Sequence, residues 1–293
     1  MEKNNKTETK WIGNTWDRLP VVIRAIFTGL AVSTLGIAAW MLLATSRLPM
    51  PWQFILMLAI LWAYLKFFSG QWGPNKSKEN RAQLFRRNKL PRQIWILSLL
   101  AGLLIVLIQQ SGMVFSFRIS EFPASIFLEE YDFVSALPAW SGWLVVIMIS
   151  LVAAVCEETG FRGYMQVPLE KPYSPILSIG IVSIVFVLVH LHQAWAGSIL
   201  IGIFLISVMF GSLAYYSGSI IPGILGHFIM DVCNFSFWWT DLGGQFSRKP
   251  LDQTGIDSHF IIWLMVFVLS AILFIFLLRK ISHLRKVHNL DSL

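Results

Sequence analysis

The segment WLVVIMISLVAAVCEETGFR, residues 143–162, ends a long apolar run with two acids and a base. Glu157, Glu158 and Arg162 each cost roughly 2.5 to 3.5 kcal/mol at the centre of a bilayer, so such side chains are rarely kept there without a role. A crossing helix needs about 20 mostly apolar residues, a length that this run reaches if it continues past Cys156. The segment therefore predicts a transmembrane helix that carries a functional site.

Two other apolar segments also contain polar side chains. His190 lies late in 176–191, and His227 with Asp231 interrupts 220–239. Ionisable residues within membrane segments usually face the interior of a bundle, where they can meet one another. The sequence therefore predicts one site formed by side chains from three helices.

The composition indicates an integral membrane protein. Hydrophobic residues make up 56% of the chain and charged residues only 13%, which excludes an ordinary soluble domain. We predict an all-α fold, a polytopic transmembrane bundle of about eight helices. The predicted segments are 21–44, 52–68, 94–108, 143–156 with its continuation, 175–191, 196–216, 220–239 and 259–278.

Charges in the connections predict the orientation of this bundle. Lysine and arginine are concentrated in 1–20, 70–92 and 279–286, whereas 121–132 carries four acids and no base. Basic connections stay in the cytoplasm, so both termini are predicted to be cytoplasmic, with an even number of crossings. This topology explains most of the net charge of +7 without a nucleic-acid partner. The basic loop 70–92 could also bind anionic lipid head groups.

These patterns divide the chain into four parts. They are a cytoplasmic tail at 1–20, N-terminal transmembrane helices at 21–140, catalytic core helices at 141–240, and a last helix with a basic tail at 241–293. The first 20 residues are polar and contain no apolar run before a cleavage site. We therefore expect the first crossing to anchor the protein in the membrane.

Helical spacing assigns different roles to the two neighbouring acids. If the helix continues past Cys156, Glu158 and Arg162 are four residues apart and can form an ion pair. Glu157 is then rotated by about 100° to another face, where the sequence offers no nearby cation. A partly desolvated carboxylate of this kind suits a general base that takes a proton from water. The alternative is that both acids only cap or pair at the membrane edge.

The histidines allow a similar pair of interpretations. Phe186 precedes His190 by one turn, so their rings can stack, and a lone histidine on an apolar helix is more often a packing residue. His227 and Asp231 are four apart on one helix, so their side chains can meet. They could form a polar pair that only holds helices together. A shared site explains all of these residues at once.

Three short motifs resemble those of a known family. They are Glu157-Glu158-x-x-x-Arg162, then Phe186-x-x-x-His190, then His227-x-x-x-Asp231. In order and rough spacing they resemble the CPBP intramembrane proteases, the family of type II CAAX prenyl endopeptidases, also called Abi proteins. The resemblance covers about 143–239, and the earlier segments are similar only in being hydrophobic.

The resemblance implies a catalytic arrangement without a metal or other cofactor. By this likeness, Glu157 and His190 activate a water that attacks a peptide carbonyl, and His227 with Asp231 stabilises the oxyanion. Only a protonated Asp231 or an N–H of His227 can donate to that oxyanion. The alternative is that Asp231 orients the His227 ring and fixes its tautomer. Glu158 is then expected to hold the helix in place through Arg162, with Phe186 supporting His190.

The family also implies a membrane-associated or lipidated peptide or protein as substrate. The loop charges favour the inner membrane of a bacterium, with the site open to the cytoplasm. Two rival mechanisms use the same chain: zinc bound by His190, His227 and an acid, or a cysteine nucleophile at Cys156 or Cys233. A third possibility is an inactive relative that serves as an immunity factor, a scaffold or a transporter.

Overall fold

The computed structural model describes residues 16–120, 132–193, 197–240 and 248–288. Within those ranges the chain is helical and contains no β-strand, which confirms the predicted all-α class. Nine helices are numbered here, and single-turn helices are left unnumbered. They are α1 (Val21–Ala44), α2 (Trp52–Phe68), α3 (Asn75–Leu84), α4 (Arg92–Ser120), α5 (Ala139–Leu169), α6 (Pro175–Val189), α7 (Gly197–Ser217), α8 (Ile221–Thr240) and α9 (Ser258–Val287).

All eight predicted apolar segments are helices. Five of them, α1, α4, α5, α7 and α9, are long and apolar enough to cross a membrane. The apolar helices α2 and α6 are shorter, with 17 and 15 residues. The prediction that the third segment ends at residue 108 is wrong, because α4 continues to Ser120. The added turns carry polar side chains, so their low hydropathy suggests that the helix has ended. In the structure these side chains contact residues of other segments, as Gln110 contacts Asn234 and Arg118 contacts Asp257.

A close contact between glycines joins α1 to α5. A Cβ added to Gly29 would lie 2.8 Å from the carbonyl oxygen of Gly160, and one added to Gly160 would lie 2.6 Å from the carbonyl oxygen of Gly29. Small residues of this kind let transmembrane helices approach until their backbones touch. The contact fixes α1 against the turn of α5 that follows the two acids.

A second glycine contact joins α4 to α8. A Cβ added to Gly226 would lie 3.0 Å from the Cα of Gly102, so the two backbones touch immediately before His227. Eight residues further along each helix, Gln110 Nε2 donates to Asn234 Oδ1 at 2.6 Å. Equal steps in the same direction show that α4 and α8 run parallel to each other.

The start of α8 is held by the loop after α3. The backbone N–H of Ile220 donates to the carbonyl of Arg86 at 3.2 Å, and Asn88 Nδ2 donates to the carbonyl of Gly218 at 2.9 Å. Gly218 has a φ of 73°, a left-handed conformation that suits glycine. The basic loop therefore sets the position from which the His227 helix begins.

At the opposite end of the bundle, a buried arginine ties α4 to α9. Arg118 Nη2 donates to Asp257 Oδ2 at 2.9 Å and to Thr254 Oγ1 at 2.9 Å. Asp257 also caps α9, because its Oδ1 accepts from the backbone N–H of Phe260 at 2.9 Å. The hydrogen bond from Arg118 is the main cause that lowers the pKa of Asp257 to about 2.

This contact predicts a pH-dependent stability difference. An aspartate has a pKa of about 3.9 when unfolded, so the lower value in the folded protein stabilises the fold above that pH. This stabilisation by the ionised Asp257 is lost as the pH falls toward 2. Asp257→Asn keeps a capping side chain but removes the charge, so we expect a melting temperature a few degrees below wild type at pH 7. Melting curves in detergent should show this gap closing below pH 4, and a gap that does not change with pH would contradict the prediction.

Candidate active site

The two acids lie where α5 changes its hydrogen-bonding pattern. The helix is regular from Ala139 to Glu157, becomes a π-helix over Glu158–Met165 and ends with a regular turn at Gln166–Leu169. The predicted continuation past Cys156 is confirmed, but the expectation of regular α-helix there is wrong. A π-helix, with i→i+5 hydrogen bonds, is rare and is often found at functional sites.

Glu158 and Arg162 form the predicted ion pair. Arg162 Nη1 lies 3.1 Å from Glu158 Oε1, and both side chains are completely buried. Arg162 Nη2 also donates to Ser207 Oγ at 3.2 Å, and the guanidinium lies 4.7 Å from the ring centre of Phe186. These contacts hold Arg162 within the helix bundle. Burying two charges costs their hydration free energy, and the attraction between Glu158 and Arg162 offsets this cost only while both side chains are present.

The imidazole of His227 lies among three carboxyl groups. Its Nδ1 is 2.9 Å from Glu158 Oε1, while its Nε2 is 3.4 Å from Asp231 Oδ2 and 3.9 Å from Glu157 Oε2. The predicted contact between His227 and Asp231 is therefore present. The hydrogen bond to Glu158 was not predicted, and it gives this residue a second partner besides Arg162.

Charge balance restricts the protonation of this cluster. Glu157, Glu158 and Asp231 could carry three negative charges, against a single fixed positive charge on Arg162. Carboxylates this close repel one another in a buried site, and a proton shared among them or carried by His227 relieves that repulsion. The arrangement can store and transfer a proton.

Two neighbours fix the geometry around His227. The ring of Phe210 stacks on the imidazole with 5.2 Å between ring centres and an angle of 20°. A Cβ added to Gly223 would lie 3.0 Å from Glu158 Oε2, so glycine leaves room for the carboxylate. Neither contact could be found in the sequence, because Phe210 lies in a uniformly apolar helix and Gly223 looks like an ordinary helix breaker.

His190 lies beyond the end of α6 rather than within it, because the regular helix ends at Val189. Its Nδ1 is 2.7 Å from the carbonyl oxygen of Phe186, so Nδ1 is the donor, and in the neutral form of the ring Nε2 is an acceptor. The predicted stacking on Phe186 is confirmed, with ring centres 4.3 Å apart. Since Phe186 also covers Arg162, His190 is connected to the acid cluster through one aromatic ring.

Direct contacts therefore join five of the predicted site residues, namely Glu157, Glu158, Arg162, His227 and Asp231. His190 is connected to them only through the ring of Phe186. Among the described residues, no hydrogen bond or ion pair joins Glu157 to His190. The same part of the chain contains no group of three or more His, Cys, Asp or Glu side chains with a geometry suited to a metal ion. Cys156 is buried and Cys233 is exposed, and within the described ranges no hydrogen bond joins either thiol to a histidine. The roles of all these residues in a reaction stay predictions.

A comparison with protein families identifies the central part of the chain. Residues 138–233 match the Rce1-like family, described as type II CAAX prenyl endopeptidase Rce1-like. This match confirms the predicted resemblance to the CAAX proteases. The matched range includes every predicted site residue, namely Glu157, Glu158, Arg162, Phe186, His190, His227 and Asp231. Searches among curated proteins and among solved structures gave no significant match.

The family match and the helices agree on the class of protein. The family is one of proteases, and the described helices include five that can span a membrane. The protein is therefore an integral membrane protein whose central part, residues 138–233, is similar to a family of proteases.

Proposed function

We propose that this protein is an intramembrane glutamate-dependent endopeptidase that cleaves a membrane-associated or lipidated peptide or protein. One observation carries the proposal: Glu157, Glu158 and Asp231, from two helices of the family-matched segment, surround the imidazole of His227. A general base and a hydrogen-bond donor must lie close together to hydrolyse a peptide bond. The cluster supplies candidates for both.

Glu157 is the candidate general base. Its side chain is 12% exposed, whereas Glu158 is completely enclosed and already shared between Arg162 and His227. A water held by Glu157 transfers a proton to its carboxylate while the water oxygen bonds to the peptide carbonyl carbon. The proton then passes to the leaving amine as the C–N bond breaks. His190 assists by accepting a hydrogen bond from the same water at Nε2.

His227 is the candidate donor to the oxyanion, and Glu158 makes this role possible. The Nδ1–H of His227 donates to Glu158, so Nε2 can donate only when the ring is positively charged. The buried carboxylate next to Nδ1 stabilises that charged form. A protonated Asp231 next to Nε2 provides a second donor. In this mechanism Glu158 positions and charges His227, besides pairing with Arg162.

We propose eight crossings with both termini in the cytoplasm, in the inner membrane of a bacterium, and a site that opens to the cytoplasm. The contact of the basic loop with the start of α8 supports this orientation. His227 lies six residues after Ile221, or about 9 Å along the helix from that end. Water and a leaving peptide then have a short path to the cytoplasm.

The test is peptide cleavage by the purified protein in lipid nanodiscs. The substrates are membrane-associated peptides synthesised in matched pairs, with and without a prenyl group, and products are identified by mass spectrometry. We propose that no metal is required, so a chelator should leave the rate unchanged, and water labelled with oxygen-18 should label the new carboxyl terminus. Loss of activity with chelator, restored by zinc, would replace the glutamate mechanism with a metal mechanism. Folded protein that cleaves none of the pairs would favour an immunity, scaffold or transport role.

A further inference from the structure

We propose that Gln110 and Asn234 form a subsite that binds the backbone of the substrate peptide, an inference that rests on the proposed protease function. Both residues lie outside the family-matched range 138–233. They come from the parallel helices α4 and α8 and meet through the bond from Gln110 Nε2 to Asn234 Oδ1. Neither residue belongs to the three motifs described above.

The first argument is the position of Asn234 on α8. It lies seven residues after His227, which is close to two full turns, and three residues after Asp231. The three side chains consequently form one stripe along the helix, and Asn234 lies about 10 Å beyond His227 along the axis. An extended peptide advances about 3.3 Å per residue. A peptide whose cleaved bond lies next to His227 would place a backbone amide about three residues away beside Asn234.

The second argument is the hydrogen-bonding capacity that the amide pair leaves unused. Within the described part of the chain, Asn234 Nδ2 and Gln110 Oε1 take part in no hydrogen bond, and neither atom is among the completely enclosed ones. An amide nitrogen that can donate and a carbonyl oxygen that can accept are therefore open side by side. If the oxygen and nitrogen of both side-chain amides were interchanged, one nitrogen and one oxygen would still be open. A peptide group offers one carbonyl and one N–H, which is the complementary set.

The third argument is the surroundings of the pair. Asn234 is only 6% exposed, and the glycine contact between Gly102 and Gly226 brings α4 and α8 together eight residues earlier. The two open groups are not completely enclosed, so a peptide can reach them, and a bound peptide would pair groups that have mostly apolar surroundings. The pair therefore recognises a peptide group of the substrate backbone, whatever side chains the substrate carries.

The test uses single replacements of backbone amides by esters in the best-cleaved peptide of the panel. An ester lacks the N–H and is a weaker acceptor, so one position about three residues from the cleaved bond should show a KM raised about five- to tenfold with kcat kept. Gln110→Met and Asn234→Leu should each raise the KM of the all-amide peptide by a similar factor and abolish the additional ester penalty. Gln53→Met, which changes a buried amide on α2, is the matched control and should keep the full penalty.

The outcomes separate the subsite from the proposed function. Melting temperatures of both variants close to wild type show that KM reports binding rather than folding. An ester penalty that persists in both variants overturns the subsite while the protease function stands. If wild type cleaves no peptide, the protease function fails, and fluorescence anisotropy with the same labelled peptides still decides the subsite. A binding penalty confined to one ester position and lost in both variants supports it, and uniform binding of all ester peptides refutes it.

Discussion

Replacing Glu157 by Gln is expected to lower kcat by about 10² to 10⁴, the usual contribution of a general base. The amide has nearly the same shape as the carboxylate but cannot take a proton from water. KM should change little, because Glu157 is proposed to act on the water rather than on the peptide. The melting temperature should also stay near wild type, since the partner of Arg162 is Glu158. Steady-state kinetics on the best-cleaved peptide, together with melting curves, measure all three quantities.

Two further variants make this result specific. Glu79→Gln removes an exposed acid of α3 and should leave both kcat and stability unchanged. Glu157→Asp keeps the carboxylate but shortens the side chain, so it should retain more activity than Glu157→Gln. Activity of Glu157→Gln above about a tenth of wild type would remove this residue from the role of base. In that case Asp231, which also faces His227 Nε2, would be the next candidate.

Local spacing was sufficient to predict several contacts. Glu158 and Arg162 are four residues apart, so any helical continuation brings them together, and the same holds for Phe186 with His190 and for His227 with Asp231. These contacts depend on positions within one helix or, for His190, directly after its end. The helical class followed from the apolar composition, because a chain in lipid must satisfy its backbone hydrogen bonds internally.

Contacts between distant segments could not be predicted in the same way. The hydrogen bond between Glu158 and His227 joins residues 69 apart in the chain and depends on the packing of α5 against α8. The sequence therefore suggested a purely supporting role for Glu158. The π-helix over Glu158–Met165 has no recognised sequence signal, although its backbone contact with α1 at Gly160 is visible once the fold is known. The sequence does not predict the polar end of α4, because the partner of Arg118 is Asp257, the residue that caps the distant helix α9.

Replacing Arg162 by Met is expected to destabilise the protein by about 3–5 kcal/mol, the usual cost of leaving one member of a buried ion pair without its partner. Glu158 would remain completely enclosed, with His227 as its one remaining ion-pair partner among the described residues. Methionine keeps much of the apolar contact with Phe186 and Phe210, so the loss should come mainly from the charge. Denaturant unfolding in detergent micelles measures the difference.

A double replacement separates the structural role of the pair from its chemical role. Glu158→Met with Arg162→Met removes both buried charges, and replacing such a pair by apolar side chains is often neutral or stabilising. We therefore expect the double variant to recover most of the lost stability. Cleavage should stay at least about 100-fold below wild type, because His227 Nδ1 has lost the carboxylate that orients and charges the ring. Full recovery of activity along with stability would show that the pair only supports the fold, and that His227 acts without Glu158.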